Sequence, residues 1–239
     1  EQEQGRTGHA YIFSDPQGRR GTYIHSGINE QWSRTLKQQP QAAAQLMETA
    51  ADARIVHLGS FSGPGERRLL EKLVVELPEE TLVSFDPGTM YSPMGLDRLE
   101  GIMVRCNILQ VYEHQLHNLV TKSSASAQAS PFEHGDARSD LDALLRWRYA
   151  RGALRPLVIL LKRHRAPGEE SKEVAGFEDV IMVSGRESIE ELVSPQAPSG
   201  RVPELTDTTG AGDAMATGLH HGLLSGRSAY DCIDLAYVM

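Results

Sequence analysis

The sequence predicts an α/β fold: three layers, helix on mostly parallel sheet on helix, with a small β hairpin ahead of them. Three observations predict it. Short apolar runs recur through the middle of the chain with the look of buried strands. Stretches of helical period lie between them, so strands and helices alternate at the spacing of crossover units. Before all of these come two β-rich runs joined by residues that favour a tight turn. No internal repeat is present, and 239 residues with 40% hydrophobic content suffice for one large domain.

The two leading runs are residues 9–14 (His-Ala-Tyr-Ile-Phe-Ser) and 20–26 (Arg-Gly-Thr-Tyr-Ile-His-Ser), with Asp15-Pro16-Gln17-Gly18-Arg19 as the turn. Tyr11, Phe13, Tyr23 and Ile24 alternate loosely with polar residues, which predicts a hairpin with one wet face. Residues 41–51 read as a helix, and Arg54-Ile55-Val56-His57-Leu58-Gly59 as a buried strand. An amphipathic helix over 65–77 leads to a strand, Thr81-Leu82-Val83-Ser84-Phe85-Asp86, stopped by Pro87-Gly88. Residues 96–104 form a short helix and Asn107-Ile108-Leu109-Gln110-Val111 a third strand. Residues 121–139, rich in Ser, Ala, Gly and Asp, form a loop. A helix over 139–151 precedes a fourth strand, Leu157 to Lys162. The first residue is Glu1, and Leu235-Ala236-Tyr237-Val238-Met239 stops inside an apparent helix, so we expect a fragment of a longer chain.

Bulk properties remove several function classes. The formal net charge of −8 disfavours a nucleic-acid partner across the surface. Cys106 and Cys232 stand in unrelated contexts, which gives neither a disulfide framework nor a Cys-based zinc site and points to a reducing cytoplasm. The polar start is no signal peptide, and the longest nearly uncharged apolar run, Leu157 to Leu161, is far too short to span a bilayer. The nine histidines show no convincing metal spacing; His114 and His117 share a helix face, as surface or core residues do.

The informative stretch runs from Glu204 to Gly218, with Asp207-Thr208-Thr209-Gly210-Ala211-Gly212-Asp213 at its centre. Two small-residue turns lead directly into an apolar helical pattern (Ala214, Ala216, Leu219, Leu223). A glycine-rich loop that opens a helix aligns unpaired N–H groups with the positive end of the helix dipole, which suits a phosphoryl oxygen. Gly210 and Gly212 let the backbone approach a ligand closely. Asp213 stands at the mouth, where a carboxylate can take a proton from an attacking hydroxyl. The plainer reading is a glycine turn capped by Asp213. The dinucleotide fingerprint is excluded because Met215 stands where its third glycine belongs, and the chain has no Gly-Lys-Ser/Thr.

Asp207 to Asp213 matches, position by position, the C-terminal signature of the ribokinase-like carbohydrate kinases, the phosphofructokinase-B family. Thr7 to Phe13, Asp15 to Gly18 and His25-Ser26-Gly27-Ile28-Asn29 resemble that family's lid hairpin and its Gly-x-Asn exit, and Phe85-Asp86-Pro87-Gly88 resembles its Asp-Pro strand end. The resemblance implies a lid over residues 7–29 and a partial kinase core over 30–239. It implies phosphorylation of a sugar hydroxyl by ATP with Mg²⁺, in the cytoplasm, and a possible homodimer through the lid. Asp213 would be the base. Gly210, Ala211 and Gly212, with Thr209 beside them, would form the anion hole for ATP, and Asp207 would hold K⁺ or serve only as a turn-making residue. A nucleoside kinase and a degenerate, binding-only member remain alternatives.

Two departures mark this chain. The family's Asn-x-x-Glu, which orders water around Mg²⁺, reads Tyr112-Glu113-His114-Gln115 here, so Gln115 lacks the charge that grips a hydrated cation. After Leu161 the family's glycine-containing nucleotide loop reads Lys162-Arg163-His164-Arg165-Ala166-Pro167-Gly168, in which the cations face phosphates or solvent. In the family the sugar is bound largely by a segment that would precede Glu1.

Overall fold

The structure, a computed structural model, describes residues 6–14, 20–63, 65–122, 136–164, 178–194 and 210–238. Strands β1 (His9–Ser14) and β2 (Arg20–His25) form a two-stranded antiparallel sheet of their own, with Tyr11 opposite Tyr23. The expected turn at 15–19 lies outside the described residues. Both faces of the hairpin are exposed, against the single wet face expected: Tyr11, Phe13 and Tyr23 on one side, Ile12 and Ile24 on the other.

A 3₁₀ turn (Gly27–Gln31) leads to α1 (Trp32–Gln38) and α2 (Pro40–Asp52), the latter opened by proline at a position where its missing N–H costs nothing. Then β3 (Ile55–Leu58), α3 (Glu66–Glu76), β4 (Leu82–Phe85) and α4 (Gly88–Tyr91) follow. The helix expected over 96–104 divides into a 3₁₀ turn, Leu96–Leu99, and α5 (Glu100–Arg105). After β5 (Ile108–Tyr112) come α6 (Glu113–Thr121), α7 (Ala137–Ala150) and β6 (Leu157–His164). Asp136 caps α7 by accepting from the Arg138 N–H, so the helix starts before residue 139.

Two strands escape the sequence reading, β7 (Glu178–Gly185) and β8 (Ile189–Val193). The central sheet runs β3-β4-β5-β6-β7-β8; β3 to β6 are parallel, whereas β7 and β8 are antiparallel. The sheet is therefore mixed, parallel only where crossover helices supply the connections. β8 was masked by its position: as an outer strand it carries the exposed Glu190, Glu191 and Leu192, a polar run without a buried-strand signature.

Side chains alternate between the sheet's faces. Val83, Phe85, Leu109, Val111, Ile159, Leu161 and Val183 form one core with the helices α3, α5, α6 and α7. Ile108, Leu160, Val180 and Met182 form a second core with Leu219, Ile233 and Ala236, contributed by α8 (Ala211–Leu224) and α9 (Ala229–Val238). Helices thus cover both faces, the predicted three layers. α8 and α9 touch through Gly218, where a Cβ would come within 2.5 Å of the Leu235 carbonyl oxygen.

At the edge where the parallel strands begin, helices end, and arginines meet their free carbonyls. Arg148 is fully buried and donates from Nε to Met103 O at 2.8 Å and from Nη2 to Cys106 O. Arg105 donates to the Pro78 and Thr81 carbonyls. Cations placed there oppose the negative ends of the helix dipoles, and chemistry is left to the other edge.

Candidate active site

The first turn of α8 arrives over the ends of the parallel strands. Gly210 is its N-cap, with φ 82° and ψ −2°, a left-handed conformation that costs any other residue strain. Ala214 N donates to Gly210 O at 2.9 Å, the first intrahelical bond. The amides of Gly210, Ala211, Gly212 and Asp213 are thus the four that an α-helix leaves without an intrahelical acceptor. Gly210, Ala211 and Gly212 among them are those that the resemblance assigns to the anion hole. Asp213 lies exposed in that first turn.

The sheet supports this turn with polar side chains from the face covered by α8. Gln110 of β5, 2% exposed, donates from Nε2 to Gly212 O at 2.8 Å. Tyr112, two residues on, is the register partner of Lys162 on β6. Lys162 is 3% exposed, its Nζ lies 4.2 Å above the Tyr112 ring, and Asp86 Oδ2 at the end of β4 is 4.0 Å away. Gln110 Nε2 and Lys162 Nζ both sit beneath Gly212, 3.6 and 3.7 Å from where a Cβ would stand. Asp86 is oriented by accepting the Gly88 N–H at 2.8 Å. A buried ammonium therefore lies close to Gly212, in the turn whose amides have no intrahelical acceptor, a constellation that attracts anions.

Behind Asp213 lies a second polar group. His57 and Ser84 are register partners on β3 and β4, and His220 is two turns below Asp213 on α8. His57 Nδ1 and His220 Nε2 lie 2.9 and 2.8 Å from Ser84 Oγ, and the two rings are 5.2 Å apart. Burial lowers the pKa of His57, partly offset by the carboxylates of Asp86 and Asp213. Burial, and then the neighbouring His57, pushes His220 down to about 4.

Of the residues singled out from sequence, Gly210, Ala211, Gly212 and Asp213 form the N-cap and first turn of α8; Thr209 and Asp207 lie outside the described residues. Gln115 is buried at the start of α6, where its Oε1 accepts the Tyr112 N–H at 3.0 Å and caps the helix. His117 is turned to Asp140 of α7 at 3.0 Å, a tie between helices. Among the described residues no three His, Cys, Asp or Glu side chains converge to hold a metal ion. Sequence reasoning missed Gln110, Ser84, His57 and His220. The available signal was a polar residue inside each buried strand, spaced so as to face the same helix.

No protein-family model matches the chain. It is 24% identical over 233 residues to an uncharacterized sugar kinase of Archaeoglobus fulgidus, a likeness covering 96% of this chain and 73% of that protein. Its fold matches adenosine kinase from Schistosoma mansoni in complex with adenosine, with a TM-score of 0.69, 16% identity and coverage of 99% of this chain and 62% of that one. It also matches the Burkholderia thailandensis nucleoside kinase bound to inosine, with a TM-score of 0.61, 16% identity and coverage of 98% and 61%. A Methanocaldococcus jannaschii nucleoside kinase, described as an archaeal member of the ribokinase family, gives 0.56 at 17% identity, covering 98% and 60%. The chain spans about three fifths of the length of these solved structures. It thus has the ribokinase-like fold of these structures and is similar in sequence to an uncharacterized sugar kinase.

Proposed function

We propose that the protein of which this chain is part transfers the γ-phosphoryl group of ATP to a hydroxyl of a sugar. The observation that carries this reading is the first turn of α8: four amides without an intrahelical acceptor, a buried Lys162 close to Gly212 and the carboxylate of Asp213 in the same turn. The amides of Gly210 to Asp213 hold the oxygens on which negative charge grows, and Lys162 adds a fixed cation from below. Asp213 accepts the proton of the attacking hydroxyl. Such a site works by position and electrostatics, with no covalent intermediate. Asp207, where the family places K⁺, would hold that ion beside the loop.

Mg²⁺ would arrive with the nucleotide and supply charge neutralisation at the phosphates. Gln115 has given one lone pair of Oε1 to the Tyr112 N–H and keeps the other for a metal-bound water. Residues 7–29 are proposed as the lid that closes over the acceptor. The exposed Tyr11, Phe13 and Tyr23 make its hairpin a natural contact for a second copy of the chain.

A nucleoside acceptor is the second reading, favoured by fold neighbours whose described ligands are adenosine and inosine. The experiment is turnover of the full-length protein with ATP and Mg²⁺ on a panel of free sugars and nucleosides. Asp213→Asn should lower turnover by ~10²–10⁴ while nucleotide affinity holds. An Asn variant keeping more than about a third of wild-type turnover, with chemistry rate-limiting, would remove Asp213 as the base. ATP binding without turnover on any acceptor would favour a binding protein instead.

A further inference from the structure

The face of the sheet under α8 is apolar along Ile108, Val158 and Leu160, yet the row holding Ile108 begins with His57 and Ser84. Ser84 is 1% exposed, and a hydroxyl so placed needs partners. It has two, His57 Nδ1 and His220 Nε2, on either side of one oxygen. A hydroxyl carries a single proton. Its proton reaches at most one of the two imidazoles, so at least one of them donates to Ser84 Oγ.

We propose that His57, Ser84 and His220 form a hydrogen-bonded cluster centred on Ser84 Oγ that positions α8 and with it Asp213. The inference rests on Asp213 acting as the base. Among the described residues, the carboxylates that act on His57 are those of Asp86, from the end of β4, and Asp213, from α8. His220 lies seven residues after Asp213 on one rigid helix. Pinning His220 to β4 fixes both the rotation and the height of the turn bearing Asp213. The same strand ends in Asp86, beside Lys162. His57, Ser84 and His220 are positioning residues, since they act through Asp213 and touch no reacting atom.

Nitrogen-detected NMR of the full-length protein at neutral pH reads the cluster without any turnover. His57 Nδ1 and His220 Nε2 should both carry hydrogen-bonded shifts that are lost in Ser84→Ala. No response of either nitrogen to Ser84→Ala would overturn the cluster. Kinetics reads the positioning. His220→Leu should lower kcat at least tenfold with the KM for ATP within about twofold. His220→Gln, which keeps an acceptor oxygen at the same reach, should recover most of the loss. Equal kcat in the Leu and Gln variants, both shown to be folded by circular dichroism, would overturn it. Should no acceptor be turned over at all, the kinase reading fails while the NMR shifts still decide the cluster.

Discussion

Two glycines of the signature loop separate what the backbone needs from what the ligand needs. Gly212 lies in the first turn of α8, outside the left-handed region. A methyl there would stand 3.6 Å from Gln110 Nε2 and 3.7 Å from Lys162 Nζ, ordinary contact that displaces nothing. Alanine is the better helix former by up to about 1 kcal/mol, so Gly212→Ala should leave unfolding stability unchanged or raise it within that limit. The methyl nevertheless adds bulk, facing Lys162, to the turn whose amides are proposed to hold the transferred group. Turnover should fall on the order of 10², the loss typical of one oxyanion donor. Gly210→Ala is the reverse case. Nothing lies within 4 Å of its Cβ, but φ is 82°, and an L-residue there costs roughly 1–2 kcal/mol. Urea unfolding and steady-state turnover, measured on both variants of the full-length protein, resolve the pair. A Gly212→Ala enzyme with wild-type turnover and an unchanged KM for ATP would refute the assignment of this turn to phosphoryl binding.

Three further outcomes are expected. Gln115→Glu keeps an acceptor for the Tyr112 N–H and adds charge, so the Mg²⁺ activation curve at fixed ATP should shift to lower concentration; coincident curves would place Gln115 away from the metal's waters. Gly218→Ala drives a Cβ to 2.5 Å from Leu235 O and 2.9 Å from Ala236 Cα, and calorimetry should register a loss of about 1–3 kcal/mol; an unchanged melting temperature would mean that α9 moves aside freely. His220 is held near 4 against an ordinary 6.5, so the folded state binds fewer protons than the unfolded one between these values. Stability from this group is full above about pH 6.5 and is lost as pH falls toward 4, by about 1–3 kcal/mol, and His220→Gln should flatten that part of the urea-unfolding profile; a slope unaltered by the substitution would assign the acid sensitivity elsewhere.

The sequence by itself determined the parallel half of the sheet, its crossover helices and the loop that opens α8. The reason is physical: a strand buried on both faces must be apolar almost throughout, as Leu157 to Leu161 is, and a helix start that binds anions must be glycine-rich and lack long side chains. Both constraints act locally and leave a local mark. Only the tertiary structure decided the rest. β8 is an outer strand whose exposed glutamates satisfy no buried pattern, so its partner β7 defines it. Gln110, Lys162 and Asp86 come from three different strands, and each alone looks like a polar lapse in an apolar run. They become a candidate site because parallel register brings their strand ends to one edge, under a helix that begins 49 residues after Lys162 in number, yet Lys162 Nζ lies 3.7 Å from where a Cβ of Gly212 would stand. His57 and His220 stand far apart in the chain and meet at one hydroxyl. Pairing over such a separation is fixed by sheet order and helix packing, properties that no window of sequence contains.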